Sequence, residues 1–274
     1  MIPTTDSFQY SKSCIPEIDH LVGAIATTKF FEERSPMKIP GIKALTFDVG
    51  GTVFDWRGAI ESEIQRLSDE QGADVDARQF ATDWRIRMFE DLALVKSGEL
   101  PPMNADALHR RVLDEVIDKL GSLELSVSER DELNQIWHRL KPWPGAVDAI
   151  HKLREAYTTT VLTVLSYAIA VDCSKFNDLS WDGIMSCEFM DHYKIDPQAY
   201  QQGAKLLGHR PDEVMMVATH TVDLMGAKNA GLKTAYIHTE DESLDVFPTM
   251  EPVHSLNEFD VNASSWGELV EKLT

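Results

Sequence analysis

Four polar residues stand where short apolar runs of this sequence end, and together they could carry out nucleophilic chemistry. Asp48 lies in "KALTFDV", just ahead of Gly50, Gly51 and Thr52. Ser166 and Tyr167 follow "TTVLTVL", and Lys194 lies in the loop after "GIMSC". Thr219 and His220 follow "EVMMVA", with Asp223 just beyond. A carboxylate beside a fixed ammonium stays ionised and can attack as a nucleophile, while a second carboxylate can activate water. Each residue alone has a plainer reading: Asp48 and Asp223 as caps, Ser166 as a loop hydrogen-bonder, Lys194 as a solvated charge. Their joint occurrence at four successive strand ends points to a site.

The elements that must position them follow from periodicity. The runs at 43–49, 159–166, 183–187, 213–219 and 233–237 are short and continuously apolar, as strands buried on both faces are. Helical patterns fall between the later ones, at about 196–207 and 222–230. Such alternation predicts an α/β fold, a Rossmann-like doubly wound parallel sheet, with ligands bound beyond the carboxyl ends of its strands. From Gly58 to about Leu140 the sequence instead carries apolar residues at three-to-four spacing, about four helices with no strand between them. Asn104 and Ser128 read as N-caps there, and Gly98 and Gly121 as stops. The expected organisation is an N-terminal extension over 1–40, a core of 41–57 and 141–274, and a helical cap of 58–140 inserted after the first strand.

Composition narrows the class of function. The 274 residues hold 26 Lys+Arg against 45 Asp+Glu, a formal net charge of −19. A field of that sign repels phosphate backbones, and no basic stripe offsets it, so no nucleic-acid partner is expected. Hydrophobic content of 43% with 26% charged residues fits a globular enzyme. Cys14, Cys173 and Cys187 show no metal-ligand or disulfide spacing and suit a reducing compartment. No apolar run is long enough to span a bilayer, so a cytoplasmic protein without a membrane partner is expected.

The order "FDVGGTVFDWRG", "LTVLSY", "DHYKIDPQAY" and "VMMVATHTVDLMGAKNAGLKTAY" resembles the haloacid dehalogenase superfamily, and more narrowly the type II 2-haloacid dehalogenases, over about residues 41–240. The resemblance implies Asp48 as the nucleophile, Lys194 and Asp223 as its catalytic companions, and Thr52 as a hydroxyl in the same loop. Arg85 would face the substrate carboxylate and the leaving halide. Ser166 is the second-motif hydroxyl, Tyr200 a tyrosine near the site, and His220 stands where some members have asparagine. The implied reaction is metal-independent and needs no cofactor. Asp48 displaces halide from a small organic acid, and water hydrolyses the resulting ester. A homodimer is compatible with the family.

Three departures bear on which reaction is run. The family's aromatic residue two after the nucleophile is Gly50, its asparagine after the second-motif serine is Tyr167, and its proline after the lysine is Ile195. Gly50 also lacks the carboxyl that the superfamily's phosphatases use as general acid, and Thr219 replaces one of their late acidic ligands, which weakens that reading. A ring lost at 50 and gained at 167 suggests a pocket reshaped for a bulkier substrate, with the Tyr167 phenol as a new donor. The alternative is therefore a repurposed tailoring enzyme acting on a larger, non-halogenated metabolite. A catalytically silent binding protein is disfavoured by the retention of Asp48, Lys194 and Asp223.

Overall fold

The structure is a computed structural model that describes residues 39–240 and 255–274. The extension expected over 1–40 lies outside the described residues apart from its last two positions. Six parallel strands make the sheet: β1 (Ala44–Phe47), β4 (Thr158–Thr163), β5 (Gly183–Ser186), β6 (Val214–Ala218), β7 (Lys233–Ile237) and β8 (Val261–Ala263). Their order is β5-β4-β1-β6-β7-β8. The chain runs outward from β1 through β4 to β5, then returns to β6 on the other side of β1 and runs outward again. That reversal beside β1 is the switch point at which doubly wound sheets open a crevice for ligands.

β1 is buried at every position and pairs on both sides, Phe47 opposite Val161 of β4 and Val217 of β6. With helices against the sheet, its central strands are buried on both faces rather than on alternate residues, β6 at every position and β4 at every position but its first. The helices of the later sequence are α5 (Ala146–Ala156), α6 (Tyr167–Phe176), α7 (Pro197–Leu206), α8 (Thr221–Asn229) and α9 (Trp266–Leu273). β8 and α9 were not read from the sequence: the strand is three residues long, below what an apolar run can signal.

Between β1 and β4 come a two-residue antiparallel pair, β2 (Phe54–Asp55) with β3 (Lys141–Pro142), and the helices that this pair brackets. These are α1 (Trp56–Gln71), α2 (Ala77–Ser97), α3 (Ala105–Leu120) and α4 (Val127–Asn134), followed by a 3-10 turn, Gln135–Arg139. Asn104 caps α3, and Gly98 and Gly121 end their helices in the left-handed conformation that glycine adopts without strain. The cap of α4 is Ser126 rather than Ser128: its hydroxyl accepts from the Glu129 amide while Glu129 reaches back to the Ser126 amide. That reciprocal pair satisfies two donors, which Ser128 could not do.

Two sets of contacts tie these helices to the sheet. Trp56, Trp84 and Trp137 are buried in the same apolar cluster as Leu45 and Phe47 of β1. Trp137 stacks on Trp56 at 6.0 Å and on His109 at 3.8 Å. The second set is polar. Asp106 of α3 accepts from Ser166 and pairs with His138 at 2.6 Å, and His138 meets Asp172 of α6 at 2.8 Å. The hydrogen bond to Asp106 raises the His138 pKa above its ordinary 6.5, partly offset by burial, with Asp172 adding to the rise. Burial would raise Asp106, but His138 and Ser166 outweigh it and lower its carboxyl below 3.8.

The sign of the linkage follows. A raised histidine stabilises the fold fully below its unfolded pKa and loses that contribution as pH rises through the folded value; the lowered aspartate loses its own only as pH falls below the ordinary carboxylate range. His138→Gln should therefore destabilise the protein most at about pH 5–6, with the difference from wild type shrinking toward pH 9 in urea melts. A pH-independent difference would show that the histidine acts only by packing.

Candidate active site

Asp48 follows β1 directly, and its backbone amide donates to Val217 of β6, so the carboxylate stands at the switch point. The loop that follows turns through Gly51, whose φ of 89° a side-chain-bearing residue would adopt only with strain. That turn brings Thr52 back to donate to Asp48 Oδ2 at 2.8 Å. The Thr52 oxygen in turn accepts from the Thr219 amide at 3.1 Å, linking the ends of β1 and β6.

Lys194 reaches in from the loop after β5. Its Nζ donates to Asp48 Oδ1 at 2.8 Å and to Asp223 Oδ2 at 2.6 Å. The Tyr200 hydroxyl of α7 donates to the other oxygen of Asp223. This contact requires a glycine on α8, because a Cβ at Gly226 would lie 2.8 Å from the Tyr200 oxygen. His220 Nδ1 lies 3.3 Å from Asp48 Oδ2. Asp48, Lys194 and Asp223 are each less than a tenth exposed.

Their electrostatics follow from that burial. Desolvation opposes charge on Asp48, but Lys194 and then His220 outweigh it and hold the carboxyl well below its ordinary 3.8. Desolvation opposes charge on Lys194 too, and Asp223 and Asp48 overcome it, keeping the ammonium protonated. Asp223 moves the other way: burial, joined by the nearby Asp48 charge, pushes its carboxyl up despite Lys194. Burial and the Asp223 charge raise the Tyr200 phenol well above 10.0, so it stays a neutral donor. The arrangement holds one poised carboxylate, Asp48, against one fixed cation.

A cavity of about 200 Å³ opens onto this group, lined among others by Asp48, Gly50, Arg85, Phe89, Lys194 and His220. Arg85 reaches it from α2 across an aromatic platform, its guanidinium 4.6 Å from the Phe89 ring centroid and 5.4 Å from those of Trp56 and Trp137. Such faces orient a guanidinium, and Nη1 also lies 3.5 Å from His109 Nε2. Burial and the Arg85 charge lower the neighbouring His109 well below 6.5, which keeps that imidazole neutral. Gly50 eases the approach: a Cβ there would lie tightly, 3.2 Å from Arg85 Nη2 and 3.3 Å from Leu165 Cδ1.

Three sequence expectations change. Tyr167 does not line the cavity. As the first residue of α6 it is 47% exposed, and its ring packs edge-on against Phe189 at 5.9 Å. The space left by a glycine at 50 is therefore taken by Arg85 and Leu165, not by Tyr167. Ser166 is buried, but its hydroxyl accepts from the Ile169 amide as a helix cap and donates to Asp106, so it is not directed at a ligand. Tyr200 is fully buried and serves Asp223 from behind.

Sequence reading missed Phe89, Leu92 and Lys96, which line the same cavity. They lie four, seven and eleven residues after Arg85 on α2, the spacing of one helical face, and that spacing was the available signal. Among the described residues no group of three or more His, Cys, Asp or Glu side chains is placed to hold a metal ion. Asp48 and Asp223 are both engaged by an ammonium, so this donor set does not fit a hard divalent cation, which takes several oxygen ligands.

Removing the ammonium would leave two buried carboxylates facing each other. Lys194→Met should cost about 3–5 kcal/mol in denaturant unfolding, and the further change Asp223→Asn should recover a large part of it. Additive losses would show that the two residues do not share one charge cluster.

Comparison with known proteins identifies the family. A family model described as haloacid dehalogenase-like hydrolase matches residues 42–231. The (S)-2-haloacid dehalogenase 4A of Burkholderia cepacia is 28% identical over 229 residues, covering 80% of this chain and 94% of that protein. The crystal structure of a defluorinating L-2-haloacid dehalogenase superposes with a TM-score of 0.75 at 32% identity, covering 85% of this chain and 97% of the other. Another L-2-haloacid dehalogenase gives 0.74 at 31%, covering 84% and 99%. With its sheet, its motif order and most of its length accounted for in this way, the chain belongs to the haloacid dehalogenase-like hydrolases and is an enzyme of that type, related to the 2-haloacid dehalogenases.

Proposed function

We propose that this protein hydrolyses the carbon–halogen bond of a short 2-haloacid by way of an ester on Asp48. The observation that carries the reading is an ionised carboxylate opening onto a small cavity whose other charged lining is Arg85, Lys96 and Lys194 together with Asp223, which Lys194 holds. An anionic substrate that expels a second anion needs such a lining. Asp48 attacks the carbon bearing the halogen, a carbon–oxygen bond forms, and halide leaves with the electron pair of the broken bond. Water then adds to the Asp48 carboxyl carbon, and the hydroxy acid departs. Splitting the displacement into two steps lowers each barrier.

Arg85 is the group we assign to the substrate carboxylate or the departing halide. Its platform fixes the guanidinium before substrate arrives, so little ordering is left to the reaction. Ser166 has no such role, since Asp106 and the α6 amide occupy its hydroxyl. Lys194 keeps Asp48 ionised and is placed to stabilise charge on Oδ1 during hydrolysis. The volume of about 200 Å³ lies below the range of about 300–1,000 Å³ usual for drug-sized ligands. It favours a short-chain acid over the larger metabolite of the alternative reading, and the exposed position of Tyr167 removes that reading's main support. The insertion of α1–α4 above the site fits a cap that opens for substrate entry.

Purified protein given short 2-haloacids should release halide, with or without EDTA, and Asp48→Asn should abolish release. Halide release that survives Asp48→Asn would overturn the covalent mechanism. No release from the wild-type protein across short 2-haloacids would overturn the dehalogenase reading.

A further inference from the structure

A guanidinium that binds an anion must present one particular edge to it. Arg85 lies over the ring faces of Trp56, Phe89 and Trp137. Ring faces hold a guanidinium by its charge, whichever N–H points at the site, so turning within its own plane is left open. An acceptor fixed at one nitrogen closes that freedom. His109 of α3 places Nε2 3.5 Å from Arg85 Nη1. The other terminal nitrogen, Nη2, lies beside Gly50 in the loop that follows Asp48, where a Cβ would stand 3.2 Å from it.

The imidazole is fully buried and held on several sides. It stacks on Trp137 with 3.8 Å between centroids and 9° between planes, and Trp84 meets it edge-on at 6.3 Å. Trp84 Nε1 also donates to the His109 backbone carbonyl at 2.8 Å. A guanidinium has only donors, so the Nε2 that faces it carries a lone pair and the ring proton sits on Nδ1. Among the described residues Nδ1 has no hydrogen-bond partner. A phenyl ring would fill this place in the aromatic cluster without burying an unpaired N–H, which is unfavourable. What the histidine supplies over such a ring is an acceptor turned to Arg85. Burial and the Arg85 charge keep the imidazole neutral, as that acceptor must be.

We infer that His109 is a positioning residue for Arg85: its Nε2 holds Nη1 and so turns Nη2 toward the anion bound beside Asp48. The inference rests on the assignment of Arg85 to the substrate carboxylate or departing halide, and adds the group that sets which nitrogen meets it. His109 itself touches no substrate. It acts by fixing the fork before substrate arrives, so that the anion does not have to order it.

Two measurements test this, and one is independent of turnover. In protein carrying ¹⁵N-histidine, the His109 ring signals, identified by their loss in His109→Gln, should report a neutral imidazole protonated at Nδ1 at pH 7. A ring protonated at Nε2, or an imidazolium, would overturn the inference. The second measurement is kinetic. His109→Phe keeps a ring in the stack and removes the acceptor, and it should lower kcat/KM for halide release from a short 2-haloacid by about 10-fold or more. His109→Gln, whose side-chain oxygen can accept from Nη1, should restore most of that loss, with urea melts confirming that both variants are folded. Unchanged kcat/KM in His109→Phe, or equal losses in the two variants, would overturn the inference. No halide from the wild-type protein would instead remove the dehalogenase reading, and the ring tautomer would still decide whether His109 holds Arg85.

Discussion

One buried ammonium organises the centre of this protein. Lys194 Nζ lies between Asp48 and Asp223, within 2.8 Å of both, where neither carboxylate could stay charged without it. Burial of two acids and one base is costly when the partners are imperfect and tolerable when every lone pair is used. Here Thr52 and His220 complete Asp48, and Tyr200 completes Asp223. The cluster draws on β1, the loop after β5, α7 and α8, so the doubly wound sheet is the scaffold that brings four chain segments to one cation. The asymmetry that results, Asp48 held charged and Asp223 pushed up, is what makes one carboxylate a nucleophile and the other its support.

The second constraint is spatial. Arg85 must bring a guanidinium from α2 to a site formed by the sheet, and it does so on the faces of Trp56, Phe89 and Trp137. Trp56 and Trp137, which belong to the apolar cluster shared with β1, are thus also two of the three faces that aim the cation. Gly50 belongs to this arrangement, since any side chain there would press on Arg85 and Leu165. Gly50 thus leaves the space beside the nucleophile to the arginine and Leu165, and Tyr167, on the outside of α6, has no part in it.

Much of this was legible in the sequence. Continuous apolar runs gave five of the six parallel strands, and their polar ends gave Asp48, Lys194, Asp223 and His220, because a parallel sheet collects its strand ends on one edge. Tyr167 was misplaced for a specific reason: one residue beyond the strand, the chain is already helical, and the side chain at the first helical position turns away from the cavity. Ser166 was read by type, whereas its hydroxyl is taken by Asp106, sixty residues away, a contact no local pattern encodes. The partnership of Gly226 with Tyr200 and of Gly50 with Arg85 is likewise long-range and visible only once helices are packed. The short β8 lay below the length at which periodicity speaks.

The central claim is that Asp48 forms a bond to the substrate carbon. A single turnover in H₂¹⁸O, with enzyme in excess over a short 2-haloacid, tests it most directly. Attack by Asp48 places the heavy oxygen in the Asp48 carboxylate, found by mass spectrometry of the peptide that contains it, and the hydroxy acid leaves unlabelled. Heavy oxygen in the hydroxy acid and none on Asp48 would mean that water attacks the substrate directly, and would contradict the account.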